Sequence, residues 1–207
     1  GGGALFALLE WNNPGTIGSF STGGKLLAAL FQSVTLRTAG FASFNQDALT
    51  EASKLLSNIL MFVGGSSGST AGGVKTVTMG LVVLSAVSTM RGRRQVTVFR
   101  RSISQQDISN AVSVALLVLG LSLFGAAVLT VCDRCSFLNA IYETTSALCT
   151  VGLTTGITGT LCAASKLILI VFMFFGRVGI MTIGVGFMMG DRARERVQYA
   201  ETKVMIG

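Results

Sequence analysis

Two short segments of the sequence follow the same pattern: a threonine, one residue, a glycine and one more residue. They are Thr38, Ala39, Gly40 and Phe41 in the first half of the chain, and Thr150, Val151, Gly152 and Leu153 in the second. A cation that loses its water needs a ring of oxygens, and backbone carbonyls supply them without net charge, so the ion can leave again. The two segments are therefore candidate cation filters, each opened by its threonine.

The glycine in each segment would give the backbone the freedom that this chemistry needs. Successive carbonyls point towards one axis only at unusual backbone angles, which glycine adopts at little steric cost. We expect Gly40 and Gly152 to be the hinges, and the side chains of Ala39 and Val151 to pack away from the pore. The alternative is that Gly40 and Gly152 are ordinary loop residues. Each glycine taken alone allows that interpretation, but their occurrence in two matching segments makes it less favoured.

A short helical stretch precedes each candidate filter. Residues 25–34 read KLLAALFQSV and residues 136–148 read SFLNAIYETTSAL, and both are too short to cross a bilayer. Residues 27–31 match residues 138–142 at an offset of 111, and the filter segments match at an offset of 112. Two such matches in the same order indicate an internal repeat. Non-helical backbone at membrane depth is tolerated where it is buried in protein or lines a water-filled path.

Three longer apolar runs place this repeat in a membrane protein. The chain has 207 residues, 12% of them charged, no histidine and a mean hydropathy of +0.67. Residues 108–132 carry no charge and as a helix would rise about 37 Å, enough to span a bilayer. Residues 74–90 and 167–190 each contain one charge. The runs indicate a polytopic membrane protein, and the composition excludes a disordered chain and a histidine-based enzyme.

Basic residues set the expected orientation. The stretch 91–101 contains five arginines and no acid. A second basic group follows the last apolar run at Arg192, Arg194, Arg196 and Lys203. The positive-inside rule puts both groups, and with them the C-terminal tail 191–207, in the cytoplasm. The net charge of +7 then reflects topology, whereas the competing interpretation, a nucleic-acid surface, requires no membrane spans.

The stretch 51–90 is longer than one crossing needs, and GGSSGSTAGG at residues 64–73 interrupts it. The charge argument places this interruption just below the filters, at membrane depth, where unpaired backbone should line a cavity. A phosphate loop is a poor match, because Val74 intrudes before the lysine and no strand pattern precedes the glycines. A passive flexible linker is the simpler alternative.

Arg177 is the charge within the last apolar run, about midway along residues 167–190. A single charge at that depth costs about 2.5–3.5 kcal/mol on insertion scales, so it should face the pore or a carboxylate and not lipid. We expect Arg177 to hold the interrupting loop or to form an electrostatic barrier to cations, with a structural ion pair as the alternative. Lys75 is a weaker candidate, as an anchor for the end of the loop.

These motifs resemble the Trk/Ktr/HKT superfamily of potassium transporters and, within it, the bacterial Ktr membrane subunit. The resemblance rests on LEWNNPGTIGSFSTGGKLLAALFQSVTLRTAGF, FVGGSSGSTAGGVKT, SALCTVGLTTGIT and FFGRVGIMTIG, which run from residue 9 to residue 184. It implies a channel-like fold of four non-identical helix–pore-helix–filter-loop–helix repeats. This sequence would be the third and fourth of them, and its fold class would be an all-α membrane protein.

The resemblance also implies a division of the chain. Residues 1–104 would form the third repeat and residues 105–207 the fourth. The third would contain a truncated first helix, pore helix 25–34, filter 38–41 and broken helix 51–90. The fourth would contain helix 107–132, pore helix 136–148, filter 150–153, helix 166–190 and cytosolic tail 191–207.

In the resembled family, the interrupting loop obstructs the pore under the filter and moves to open it. The resemblance therefore implies a gate formed by Gly64, Gly65, Ser66, Ser67, Gly68, Ser69, Thr70, Ala71, Gly72 and Gly73, together with Lys75 and Arg177. A filter glycine goes with K⁺ selectivity in this family, and both segments have one. The family often has proline where this chain has Leu36 and glycine where it has Cys149, which affects the expected turn before the filter.

The expected function is the pore-forming subunit of a potassium uptake system, with K⁺ bound by filter carbonyls, Na⁺ as an activating ion and no cofactor in this chain. A Na⁺-permeable or Na⁺-coupled relative and an inactive fragment without the first two repeats are the alternatives. The family implies a missing N-terminal half, a homodimer, a KtrA-like cytosolic ring of RCK nucleotide-binding subunits and a multi-pass position in the plasma membrane. An enzyme is not indicated, because no obvious acid–base pair is formed by Glu10, Asp47, Glu51 and Glu143.

Overall fold

The computed structural model describes residues 1–66, 71–92, 96–98 and 101–178. These residues form helices α1 (Gly2–Glu10), α2 (Thr22–Thr35), α3 (Glu51–Phe62), α4 (Thr76–Met90), α5 (Gln105–Asp133), α6 (Phe137–Leu148) and α7 (Ala163–Val178). They also form two 3₁₀ turns, Gln46–Ala48 and Ile157–Gly159, and an antiparallel hairpin of β1 (Thr97–Val98) and β2 (Arg101–Ser102). The fold is mostly helical, as predicted, and the hairpin in the arginine-rich stretch is an addition to that prediction.

One order of elements occurs twice along the chain. Helices α1, α2 and α3, with a 3₁₀ turn before α3, are followed by α5, α6 and α7, with a 3₁₀ turn before α7. In the first set α1 packs against α2 and α3, and in the second set α5 packs against α6 and α7. Side chains of Ser21, Thr50 and Ser104 accept backbone amides at the starts of α2, α3 and α5, which is the usual N-cap arrangement. The expected pore helices are α2 and α6.

The broken helix expected over residues 51–90 consists of α3 and α4, with an irregular segment between them. A short parallel pairing closes the break, because Gly64 N–H donates to Val74 O at 2.9 Å and Val74 N–H donates to Phe62 O at 3.2 Å. The two ends of the break therefore lie side by side.

The apolar runs differ in how well their helices could cross a bilayer. By length and composition, α5, with 29 residues, is the helix among the described residues that could span a membrane. Helix α4 has 15 residues and rises about 22 Å, less than the roughly 30 Å of a hydrocarbon core, because the break consumes the residues before Thr76. The run 74–90 is therefore shorter than a full span, and the run 167–190 extends beyond the described residues after Val178.

The two halves of the chain meet where α3 packs against α6 and where α4 packs against α5. On α3, the buried Lys54 places its Nζ 3.1 Å from Asp47 Oδ1 and 2.9 Å from Asn139 Oδ1, and Asn139 belongs to α6. A buried lysine is tolerated when its charge is paired and hydrogen-bonded, as it is here. This contact fixes α3 to α6.

A buried carboxylate joins α1 to the start of α3. Glu10, at the end of α1, accepts hydrogen bonds from Asn13 Nδ2 at 2.6 Å and from Thr16 Oγ1 at 2.7 Å. Its other oxygen accepts from the amide and the hydroxyl of Thr50, the N-cap of α3, at 3.0 and 2.7 Å. These bonds satisfy the donors at a helix start that would otherwise be unpaired.

Replacing Glu10 with alanine is expected to lower the free energy of unfolding of the complete protein by about 3 kcal/mol, because the donors of Asn13, Thr16 and Thr50 lose a buried, charged acceptor. Thermal unfolding in detergent measures the loss. The matched control is Glu51→Ala, since Glu51 is exposed in the first turn of α3, and it should shift the unfolding temperature little. Equal losses in the two variants would contradict the role assigned to Glu10.

Candidate cation filter and gate

Each candidate filter segment follows an expected pore helix and has two residues with left-handed backbone. Gly40 and Gly152 have φ of +77° and +89°, as expected of hinges. Thr38 and Thr150 also have positive φ, +67° and +56°, which sequence reasoning missed because β-branched residues rarely adopt it. Strain of this kind costs about 1–3 kcal/mol per residue and persists where the surroundings enforce it.

The same hydroxyl contact holds both segments to their pore helices. Thr35 Oγ1 donates to Phe41 O at 2.6 Å, and Ser146 Oγ donates to Leu153 O at 2.6 Å. The backbone carbonyls of the same two helix residues also accept amides: Ala39 N–H donates to Thr35 O at 3.0 Å, and Val151 N–H donates to Ser146 O at 2.9 Å. Helices α2 and α6 thus fix both ends of each candidate filter segment, which explains how the unusual backbone angles are maintained.

The two segments lie directly against each other. A Cβ on Gly40 would lie 2.4 Å from Val151 O and 3.6 Å from Gly152 Cα, so only glycine allows this approach. Val151 belongs to the buried core, as expected. Ala39 is exposed in the described part of the chain, so the expectation that its side chain packs away from the pore stays a prediction.

The expected gate loop lies against the start of the second filter. Gly72 N–H donates to Thr150 Oγ1 at 2.9 Å. A Cβ on Gly72 would lie 2.9 Å from Cys149 O, and one on Gly73 would lie 2.9 Å from Cys149 Sγ. Glycines at both positions therefore allow the loop backbone to touch the filter. Of the gate residues, Gly64, Gly65, Ser66, Ala71, Gly72 and Gly73 are described, whereas Ser67, Gly68, Ser69 and Thr70 lie outside the described residues.

Three basic side chains lie near this loop or near the filters. Lys75 Nζ donates to Ala71 O at 2.6 Å, which is consistent with an anchor at the end of the loop. Arg177 lies in the last described turn of α7 and lines a cavity beside the second filter. Sequence reasoning missed Arg37, which directly precedes the first filter and places Nη1 3.5 Å from Gly64 O. An arginine in an otherwise uncharged filter loop was the available signal.

Sequence reasoning also missed a carboxylate beside the second filter. Glu143 of α6 is buried and accepts hydrogen bonds from the hydroxyls of Thr154, Thr155 and Thr158, and from the amide of Thr155. These threonines directly follow the filter, so Glu143 fixes the loop that leaves it. A single acid in a short pore helix, followed by several threonines, was the signal that could have identified this contact.

Comparison with known proteins decides the family. The family described as "TrkH: Cation transport protein" matches residues 3–194. The chain belongs to this family. It is 38% identical over 200 residues to the Ktr system potassium uptake protein B of Bacillus subtilis (strain 168), covering 97% of this chain and 44% of that protein. It is 35% identical over 213 residues to the potassium/sodium uptake protein NtpJ of Enterococcus hirae, covering 100% of this chain and 47% of that protein.

A solved TrkH structure supports the fold. The potassium transporter TrkH from Vibrio parahaemolyticus superposes with a TM-score of 0.73 at 21% identity, covering 94% of this chain and 42% of that chain. The chain thus spans less than half the length of these relatives. The resemblance drawn from the motifs is confirmed, and membership of a transporter family agrees with a membrane protein that is not an enzyme.

Proposed function

We propose that this chain supplies two of the four filter segments of a K⁺ uptake pore, and that an upstream half supplies the other two. The observation that carries the proposal is the contact of two left-handed filter segments, with Gly40 against the carbonyl of Val151. The names of its relatives, which include a potassium uptake protein and a potassium/sodium uptake protein, support K⁺ as the transported ion.

In this proposal, K⁺ exchanges its water for carbonyl oxygens of the filter segments. Thr35 and Ser146 bind the fourth carbonyl of each segment, at Phe41 and Leu153, and so keep the preceding carbonyls in register. Helices α2 and α6 end just before the filters, and the negative ends of their dipoles favour a cation there. The ion is released at the end of its passage, and no lasting bond forms between it and the protein.

The loop between α3 and α4 is the proposed gate. In the arrangement described here, Gly72 N–H is bonded to Thr150 Oγ1, which holds the loop under the second filter. The pairing of Val63 with Val74 gives the loop a fixed base, and Lys75 fixes its far end through Ala71. Arg177 is proposed to hold the loop or to raise an electrostatic barrier to cations, and opening would require the bond of Gly72 to break.

The second candidate function is a Na⁺-permeable or Na⁺-coupled transporter. One observation favours it, since a relative at 35% identity is named a potassium/sodium uptake protein. Filter residues of the upstream half would decide between the two functions. Uptake measured with each ion separately, and K⁺ uptake measured with and without Na⁺, distinguishes the two functions and tests Na⁺ as an activator.

The proposed assembly has three further parts. The printed name "Ktr system" of a relative supports a multi-component transporter, which we propose to be a homodimer of complete subunits on a KtrA-like ring of RCK nucleotide-binding subunits. The arginine-rich stretch 91–101 and the tail 191–207 are the proposed contacts for this ring. The positive-inside rule supports a multi-pass plasma-membrane protein with a cytoplasmic C-terminus.

Rubidium uptake by the complete transporter, in cells that lack other K⁺ uptake, tests the proposal. Gly152→Asp places a carboxylate at the filter and is expected to reduce K⁺ uptake strongly and to weaken discrimination against Na⁺. Gly159→Asp is the matched control, because Gly159 is exposed in the 3₁₀ turn after the filter with open space around it, and it should preserve both. Normal K⁺ uptake and selectivity in Gly152→Asp would refute the proposal.

A further inference from the structure

Both repeats contain a hydrogen-bonded pair of side chains at the same position. On the first repeat, Gln32 Nε2 of α2 donates to Gln46 Oε1 at 2.6 Å. On the second, Thr158 Oγ1 donates to Glu143 Oε2 of α6 at 2.8 Å. Gln32 and Glu143 are 111 residues apart, and Gln46 and Thr158 are 112 apart, which are the offsets of the pore helices and of the filters. Each pair joins a pore helix to the loop after its own filter.

An aromatic side chain of the second repeat lies on the pair of the first. Tyr142 of α6 is fully buried, and its hydroxyl donates to Gln46 Oε1 at 3.1 Å. Met61 of α3 is fully buried in the same core cluster as Tyr142. The interface between the repeats is therefore built from the pore-helix aromatic of one repeat, and from the side-chain pair and inner helix of the other.

The equivalent place on the second repeat is an open cavity of about 500 Å³. Glu143 and Thr158 line it, together with Leu169 and Met173 of α7. Met173 follows Met61 by 112 residues and is its counterpart, yet Met173 is 49% exposed where Met61 is 0% exposed. On the first repeat, α6 covers the surface around Met61. The described part of the chain leaves the corresponding surface around Met173 on the second repeat uncovered.

The counterpart of Tyr142 on the first repeat is uncovered as well. Phe31 of α2 lies 111 residues before Tyr142 and is 42% exposed. It shares one face of α2 with the exposed side chains of Leu27, Leu30 and Val34, which have helical spacing. The chain therefore carries one uncovered cavity and one uncovered aromatic residue, and its own internal interface shows that such elements fit each other.

We infer that an aromatic side chain from a pore helix of the upstream half fills the cavity beside α7, and that Phe31 fills the matching cavity of that half. The inference rests on the proposed function, in which the upstream half completes the pore. Phe31 and Tyr142 lie seven and eight residues before their filter threonines, which predicts the position of the upstream aromatic. Head-to-tail contacts of one kind can close into a ring.

The upstream half is the occupant that the relatives favour over a second copy of this chain. The chain covers 44% and 47% of the two uptake proteins described above, which leaves length for two more repeats of the same size. Of two more repeats, one would supply the aromatic residue for the cavity beside α7, and the other would supply the cavity for Phe31. Each repeat would then contact its neighbour as α6 contacts the first repeat here.

Filling the cavity in the complete transporter tests the inference. Met173→Trp should remove most of the folded, monodisperse protein seen by size-exclusion chromatography in detergent, because the incoming aromatic side chain no longer fits. Truncating the upstream aromatic to alanine in the same protein should restore the peak. Val171→Trp is the matched control. Val171 is also exposed on α7 but lies nearly on the opposite side of the helix, about 160° from Met173, so this variant should leave the peak unchanged.

Three results would overturn the inference. The first is an equal amount of folded protein in Met173→Trp and Val171→Trp. The second is that truncating the upstream aromatic residue fails to restore the peak of Met173→Trp. The third is that Phe31→Ala restores the peak in place of the upstream truncation, which would assign the cavity to a second copy. Because the readout is folded protein and not ion flux, this test is separate from the test of K⁺ transport, and either proposal can fail alone.

Discussion

Alanine in place of Gly40 is expected to reduce K⁺ uptake by the complete transporter strongly. The new Cβ would lie 2.4 Å from Val151 O, so a filter carbonyl must move. A left-handed alanine at φ +77° also adds about 1–2 kcal/mol of backbone strain, a penalty that alanine at the left-handed Gly92 would share, so the displaced carbonyl is the decisive difference. We therefore expect rubidium uptake to fall by at least about tenfold, with weaker discrimination against Na⁺, because ring geometry sets selectivity.

Gly92→Ala is the matched control for this variant. Gly92 has φ of +65°, no atom of the described residues lies within 4 Å of a Cβ built on it, and it lies just after α4. It carries the same backbone penalty without the contact to a filter carbonyl, so its uptake and selectivity should remain close to those of the parent protein. If both alanines reduced uptake equally, backbone strain would explain the loss and the filter would not.

Valine in place of Thr150 is expected to increase K⁺ flux through the resting transporter. Its side chain has the shape of threonine but offers no acceptor to the amide of Gly72, which lies 2.9 Å from Thr150 Oγ1. A hydrogen bond of this kind contributes about 0.5–1.5 kcal/mol, so the closed arrangement should lose about 2- to 12-fold in population. Rubidium efflux from proteoliposomes without activating partners measures this leak.

Thr150→Ser is the control that keeps the hydroxyl. It should leak no more than the parent protein, whereas both variants should keep their discrimination between K⁺ and Na⁺, because neither removes a backbone carbonyl. A serine variant that leaks as much as the valine variant, or a valine variant with unchanged leak, would show that the hydroxyl does not hold the gate.

The repeat was predictable from sequence because helix and loop signals recur at nearly constant offsets. Residues 136–148 predicted α6 almost to the residue. Residues 25–34 predicted α2 three residues too short at its start, because Gly23 and Gly24 look like loop residues while Ser21 caps the helix. Local patterns of this kind fix the existence of an element better than its ends.

The contacts that hold the site were not predictable in the same way. Thr38 and Thr150 adopt backbone angles that their own residue type disfavours, so tertiary contacts impose them. Glu143 looks like an isolated acid in the sequence, and its role depends on three hydroxyls that the loop after the filter brings to it. The contact of Gly40 with Val151 joins residues from the two halves of the chain, which no local pattern reports.

The most direct test of the account is to locate the bound ion in the complete transporter. Crystals grown with Rb⁺ in place of K⁺ should show anomalous density on one axis, coordinated by backbone carbonyls of residues 38–41 and 150–153 together with those of the upstream half. Density at those carbonyls is the predicted result. Anomalous density located elsewhere, with the carbonyls of both segments turned towards packed protein or lipid, would contradict the account.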